Sequence, residues 1–322
     1  MLRQIADFSL EDLHSYKPTL TAREDFVDFW QTMSSQVPPQ IDAEVNWLSY
    51  PIEQVKVADV TIKSWDHTPL RAWLISPNQL NKETPALLHF HGYTDSRGQV
   101  EQYLKWALQG ITVISFEIRG QGFSPDYAKY PNGTQIQGWM TLGIEEKGSY
   151  YYANVYKDVM ACVNWAFELD GIDRTRVGVF GESQGGALAL VAAAMNQEIQ
   201  MVMADYPFLS HFERALKIAS GPYTEILYYF KYRDPEGKRY EKVLENLSYF
   251  DMMNFAPLVK CPSLLCIGLE DSVTPPSTVF SVYNLLGSTN KDIKVYPEHS
   301  HELISWHEEE KIKFVCKYFL SN

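Results

Sequence analysis

RVGVFGESQGGALALVAAAMN, residues Arg176 to Asn196, reads as a strand, a sharp turn and a helix with a serine at the apex. Arg176 to Phe180 alternates short and β-branched residues like a buried strand, whereas Ala187 to Met195 is rich in Ala and Leu, which favour helix. Between them, Gly181-Glu182-Ser183-Gln184-Gly185 has the G-x-S-x-G form of a nucleophile elbow, a turn so tight that a Cβ on either flanking glycine would clash. Such a turn lifts the Ser183 hydroxyl clear of the sheet. It also aims the first N–H groups of the new helix at whatever the serine attacks, which makes the Gln184 N–H a candidate oxyanion donor. A Gly-rich turn whose serine merely caps a helix would share these five residues, so the rest of the chain must decide.

The chain has 322 residues, of which 45% are hydrophobic and 14% aromatic, enough for a sizeable core. A formal charge of −12 disfavours nucleic acid and anionic membranes as partners, because both are polyanions. A neutral or cationic small molecule is the easier substrate. The cysteines, Cys162, Cys261, Cys266 and Cys316, show no C-x-x-C spacing, and three sit in apolar segments where free cysteine packs as a small hydrophobe. A reducing cytoplasm is the expected location. The N-terminal stretch MLRQIADFSLEDLHSY lacks a long apolar core, and no apolar run approaches the ~18 residues of a membrane span, so no membrane association is expected.

Taken in order, Ser9-Leu-Glu-Asp and Thr21-Ala-Arg-Glu resemble capping boxes, each opening an N-terminal covering helix, and Phe26, Phe29, Trp30 and Met33 follow the second at helical spacing. Val57 to Trp65 and Leu70 to Ile75 predict an antiparallel hairpin at a sheet edge, with His67 in its turn. Ala86 to Phe90 is a short strand followed by His91-Gly92-Tyr93-Thr94, where such folds build the second half of an oxyanion hole, so the Tyr93 N–H is the candidate second donor. Gln99 to Leu108 reads as helix and Ile111 to Ile118 as strand, ending in Arg119-Gly120-Gln121-Gly122, with Arg119 expected to be a buried ion-pair partner. Ser124 to Tyr152, rich in aromatics among Gly and Pro, suggests a rim, an interface, or both. Strand and helix then alternate from Asn154 to Asp205, which implies a mostly parallel sheet. Residues 206–259 break that rhythm with Tyr-rich helical sequence, and are expected to be an insertion over the C-terminal edge of the sheet.

After the insertion, the strand Ser263 to Gly268 leads into Leu269-Glu270-Asp271, and the last strand, Asp292 to Tyr296, leads into Pro297-Glu298-His299-Ser300-His301-Glu302 and a terminal helix. A serine, an acid and a histidine thus follow three strand ends in the α/β-hydrolase order. A serine hydroxyl is a poor nucleophile until a histidine removes its proton, and an acid behind the imidazole fixes the tautomer and stabilises the imidazolium. Asp271 is preferred over Glu270 as the acid. His299 and His301, two residues apart, are not separable by position, and His307 is expected to be a solvated residue of the terminal helix. No metal-ligand spacing or nucleotide-binding G-x-G-x-x-G is present, so no cofactor and no metal are expected.

These segments resemble one family, the acetyl xylan esterase and cephalosporin-C deacetylase group of α/β hydrolases, carbohydrate esterase family 7. The resemblance rests on Arg119-Gly120-Gln121, Gly181-Glu182-Ser183-Gln184-Gly185 and His301-Glu302, supported by His91-Gly92-Tyr93, Gly138-Trp139-Met140-Thr141, Tyr150 to Tyr152, Leu247-Ser248-Tyr249-Phe250-Asp251, and Asp271 with Thr274-Pro275-Pro276. It implies a catalytic triad of Ser183, Asp271 and His301, an oxyanion hole from the N–H groups of Tyr93 and Gln184, and a scaffold role for Arg119 to Gln121. It further implies a cytoplasmic serine esterase that deacetylates small acetylated substrates, xylo-oligosaccharides and cephalosporin C, through an acetyl-enzyme, as a homo-oligomer that is often a hexamer. Glu182 and Ser300 stand where the family commonly has glycine. The expected architecture is one α/β-hydrolase domain over residues 1–322, with a mostly parallel sheet of about eight strands flanked by helices, N-terminal covering helices and the helical insertion. The competing readings are a longer-chain esterase or peptidase on the same triad, and a binding protein that kept the fold without the chemistry.

Overall fold

A computed structural model describes residues 7–78, 82–131 and 133–320, so the first six residues of the N-terminal stretch read above lie outside the described residues. Two short helices come first, α1 (Leu10–Ser15) and α2 (Phe26–Ser34). The Ser9 hydroxyl caps α1 by accepting the Asp12 N–H. The second expected capping box does not form: α2 starts after Asp25 without a side-chain cap. Thr21 bonds Asn254 instead, its N–H to Oδ1 at 3.1 Å and its hydroxyl from Nδ2 at 3.0 Å, which ties the N-terminal segment to the insertion.

Among the described residues nine strands form one sheet: β1 (Ala43–Leu48), β2 (Val55–Lys63), β3 (Pro69–Pro77), β4 (Thr84–Phe90), β5 (Thr112–Phe116), β6 (Ile172–Glu182), β7 (Met201–Asp205), β8 (Ser263–Gly268) and β9 (Lys291–Tyr296), in the order β1-β2-β3-β5-β4-β6-β7-β8-β9. The pairs from β5 across to β9 are parallel, as crossover helices require, and β1, β2 and β3 extend the sheet in antiparallel fashion. The strand not foreseen is β1. It pairs with β2, so the hairpin β2–β3 does not end the sheet. Its side chains are mostly exposed, which leaves little hydrophobic pattern to read.

The crossover and flanking helices are α3 (Leu104–Ala107), α4 (Tyr151–Phe167), α5 (Gln184–Met195), α10 (Pro276–Leu285) and α11 (Ser305–Val315). Helix α5 is buried on every side except near its end, consistent with its Ala- and Leu-rich sequence, because it lies between the sheet and the insertion. The insertion between β7 and β8 holds α6 (Phe212–Ile218), α7 (Tyr223–Arg233), α8 (Tyr240–Ser248) and α9 (Met252–Phe255). Tyr150, Tyr151 and Tyr152, expected at a rim or interface, are buried at the start of α4. Among the described residues of Ser124 to Tyr152, only Tyr127 is an exposed large hydrophobic residue.

Candidate active site

The parallel strands β4, β6, β8 and β9 deliver their following loops to the same edge of the sheet, the edge at which α/β folds place their sites. Ser183 sits between β6 and α5 with φ 54° and ψ −116°, a conformation costly for a side-chain-bearing residue. Close packing holds it there. A Cβ on Gly185 would collide with the Phe90 carbonyl of β4, and one on Gly181 would meet the same oxygen and Gly185. The Ser183 N–H donates to Asp205 O at 2.9 Å and its carbonyl accepts from Phe208 N at 3.0 Å, so the strained turn is fixed by main-chain bonds.

Asp271 and His301 converge on that serine. Asp271, 4% exposed, accepts from the N–H groups of Val273 and Thr274, both at 2.8 Å, and from the Thr274 hydroxyl at 2.8 Å. Its Oδ2 also accepts from His301 Nδ1 at 2.8 Å. Because a carboxylate accepts, Nδ1 carries the proton, and Nε2 is left to face Ser183 Oγ at 3.1 Å. The imidazole packs edge-on against Tyr206, ring centres 4.8 Å apart. His299 goes elsewhere: its ring meets Glu302 at 3.2 Å, and its carbonyl accepts from Glu270 N at 2.9 Å. Glu302 therefore serves His299 and the Ser300 N–H.

The loop after β4 is held from three sides. His91 is buried; its Nδ1 donates to Gly92 O at 2.7 Å and its Nε2 accepts from Ile118 N at 3.1 Å, which requires a neutral ring. Burial pushes its pKa down to about 4. Gln121 Oε1 accepts from Thr94 N at 2.9 Å, while its Nε2 donates to Gln184 Oε1 at 3.1 Å, joining the loop to the start of α5. The Tyr93 hydroxyl accepts from Trp139 N at 2.6 Å and donates to Glu225. Gly92, Tyr93, Ser183, Tyr206 and His301 all face one open cleft of about 680 Å³, bounded by Gly221, Pro222, Thr224 and Glu225 of the insertion.

Arg119 is fully buried and grips Asp158 through Nε and Nη2, both at 2.6 Å, Asp66 at 2.9 Å and Asp126 at 3.2 Å. With the Arg119 carbonyl accepting the Tyr151 hydroxyl at 2.6 Å, this network anchors the loop that carries Gln121. Glu182 is half-buried on the cleft wall and reaches His89 at 3.4 Å.

His307 overturns its expectation as a solvated residue. It is 1% exposed, with Nε2 bonded to Asp205 Oδ1 at 3.0 Å and Nδ1 3.2 Å from the Tyr296 hydroxyl, and Lys311 Nζ holds the other Asp205 oxygen at 2.8 Å. Burial would raise the Asp205 carboxyl, but the charges of Lys311 and His307 outweigh it and hold the group well below the usual range. Among the described residues Asp205, Cys266 and His307 bring metal-ligating atoms together. The Lys311 ammonium already supplies the positive charge that a metal ion would bring, so the cluster is an ion-pair network clamping α11 to β7. A larger cleft of 1040 Å³, lined by Trp47, Tyr50, Lys56, Asn78 and Asp170, lies against the starts of β4, β5 and β6, the opposite edge from Ser183.

Neither Glu225 nor the Asp205–His307 contact was read from sequence, since their partners lie 132 and 102 residues away. A lone acid in the Tyr-rich run Tyr223 to Tyr229 was the available signal for the first. Comparison with known proteins agrees with this architecture. The sequence profile of the acetyl xylan esterase family (AXE1) matches residues 3–318. The acetyl xylan esterase from Paenibacillus sp. R4 is 39% identical, with a TM-score of 0.93 over 97% of this chain and 100% of that one. Acetyl xylan esterase 1 from Thermoanaerobacterium sp. JW/SL YS485 is 31% identical, with a TM-score of 0.92 over 97% and 99%. Acetyl esterase Axe7A of Xylanibacter ruminicola is 30% identical over 61% of this chain, which spans 44% of that relative's length. No helix among the described residues is long and apolar enough to cross a membrane. Since the profile runs almost from end to end and two solved acetyl xylan esterases superpose over nearly the whole fold, the chain belongs to the acetyl xylan esterase family.

Proposed function

We propose that this protein is a serine esterase that removes acetyl groups from small acetylated sugars, xylo-oligosaccharides among them, and from cephalosporin C, through an acetyl-enzyme intermediate. The observation that carries the reading is the relay from Asp271 through His301 to Ser183, opening on a cleft walled by Tyr93 and the insertion. Ser183 Oγ attacks the acetyl carbonyl as His301 Nε2 takes its proton, and Asp271 stabilises the imidazolium so formed. The carbonyl oxygen, now an oxyanion, is held by the N–H groups of Gln184 and Tyr93; that of Gln184, at the first position of α5, has no partner within its helix. Collapse of the tetrahedral adduct expels the sugar alkoxide, which receives the proton from His301, and water then repeats the sequence on the acetyl-serine.

Replacing Ser183 by Ala should lower kcat for p-nitrophenyl acetate and acetylated xylobiose on the order of 10⁴-fold without a change in fold. Wild-type turnover in that variant would reject the reading. Acetyl esters should also be strongly preferred over octanoyl ones, as the family resemblance implies, because an overfilled acyl pocket costs a few kcal/mol. An equal kcat/KM for p-nitrophenyl octanoate would favour the longer-chain esterase.

The cytoplasm as location is supported by Cys162 and Cys266, buried thiols that form no disulfide. Assembly into a homo-oligomer, a hexamer on the pattern of the family, completes the proposal.

A further inference from the structure

Glu225 is a carboxylate placed where an apolar or neutral residue would cost less. It projects from the first turn of α7, is 6% exposed, and faces the active-site cleft, with no ion-pair partner among the described residues. Its two oxygens accept the Tyr93 hydroxyl at 2.9 and 3.1 Å, and Oε2 also accepts the Met140 N–H at 3.1 Å. The Tyr93 hydroxyl in turn accepts the Trp139 N–H at 2.6 Å. Three segments distant in sequence meet at this point: the loop after β4, the turn at 138–140, and the insertion. Gly138, with φ 57°, makes the approach possible, since a Cβ there would collide with both the carboxylate and the Tyr93 hydroxyl. Burial lifts the Glu225 carboxyl to about 7, against the two hydrogen bonds that lower it, so the site retains an acid at a cost.

We propose that Glu225 is a positioning residue for acyl transfer: by fixing the Tyr93 side chain from above, it holds the Tyr93 backbone N–H where that group donates to the oxyanion. The proposal rests on the reading of the site as that of a serine esterase whose nucleophile is Ser183. The mechanics follow from the bonds on either side of the residue. Gly92 O is fixed by His91, and the Thr94 N–H by Gln121, so the main chain is pinned before and after Tyr93. Thr94 has φ 66°, a strained conformation that relaxes if a pin is lost. The tyrosine side chain is the third pin, and Glu225 with Trp139 N–H is what holds it. The effect on the reaction belongs to the transition state, because the N–H bonds the oxyanion more strongly than it bonds the ground-state carbonyl.

The test compares Glu225→Ala, Glu225→Gln, Tyr93→Phe and the double variant Tyr93→Phe/Glu225→Ala. The readouts are kcat and KM for p-nitrophenyl acetate per active site titrated by a fluorophosphonate, affinity for a trifluoromethyl ketone that forms an oxyanionic hemiketal with serine, and melting temperature. Removing an oxyanion donor outright costs ~10²–10³-fold, so displacing one should lower kcat in Glu225→Ala by about 10- to 100-fold with KM within about twofold. Ketone affinity should fall by the same factor. Glu225→Gln, which keeps an acceptor oxygen, should recover most of the loss, Tyr93→Phe should reproduce it, and the double variant should be little worse than either single one. A normal kcat per titrated site with a lower melting temperature would overturn the proposal in favour of a strut for the insertion. A loss confined to KM would overturn it in favour of a substrate contact. Should Glu225→Ala fail to fold, Glu225→Gln and Tyr93→Phe still decide, since both preserve the volume of the site. Failure of the underlying reading looks different: fluorophosphonate would then leave Ser183 of the wild type unlabelled.

Discussion

At the residue scale, His299 and His301 show what pattern alone can and cannot separate. Both follow the last strand and lie two positions apart, so an extended loop could present either. The structure parts them through partners that sequence does not announce: Asp271 takes His301, and Glu302 takes His299. We therefore expect His301→Ala to lower kcat by about the same factor as Ser183→Ala, and His299→Ala to cost at most about tenfold. Steady-state kinetics of the two variants decide it, and a dead His299→Ala beside a nearly normal His301→Ala would reverse the assignment. Ser183 was legible because it directly follows a strand whose pattern is plain, and Asp271 because it lies a few residues past another, although Glu270 beside it competed for the role. Glu225 and His307 were not, because what gives each its place is a contact made more than 100 residues away.

At the scale of elements, β4 to β9 could be read from apolar runs punctuated by turns, and the elbow from its glycines. Strand β1 escaped because its exposed faces carry no burial pattern, and the start of α2 was misplaced because Thr21 bonds Asn254 rather than capping a helix. The loop after β4 carries a pH signature of its own. Buried His91 stays neutral until about pH 4, whereas its ordinary value is 6.5, so between those values the unfolded chain binds a proton that the native state does not. Its contribution is fully present above pH 6.5 and is lost as pH falls toward 4. The stability gap between wild type and His91→Gln should thus be constant above pH 6.5 and narrow by ~2–3 kcal/mol on acidification. Urea midpoints measured across that range check it, and a gap that widens in acid would refute the neutral-ring arrangement. The comparison with a variant matters, since raised carboxyls at Glu225 and Asp251 act with the opposite sign over part of the same range.

For the whole molecule, sequence pattern was sufficient for the layered α/β architecture and for the site at one edge of its sheet. It was misleading about the aromatic stretch before α4, whose three consecutive tyrosines proved to be core: Tyr151 and Tyr152 bond Arg119 and Gln184, at 2.6 and 2.9 Å, to shape the site from below. The case for an oligomer loses that support and rests on the family resemblance, so light scattering at micromolar concentration should give a multiple of the single-chain mass, and a monomer would defeat the proposal. The central claim is that chemistry passes through a covalent acetyl group on Ser183. It is tested most directly by mixing enzyme with p-nitrophenyl acetate, quenching in acid within milliseconds, and locating any acetyl group by peptide mass spectrometry. The account predicts one acetyl group on the peptide that contains Ser183, absent from Ser183→Ala; acetylation of another residue, or turnover with Ser183 never modified, would contradict it.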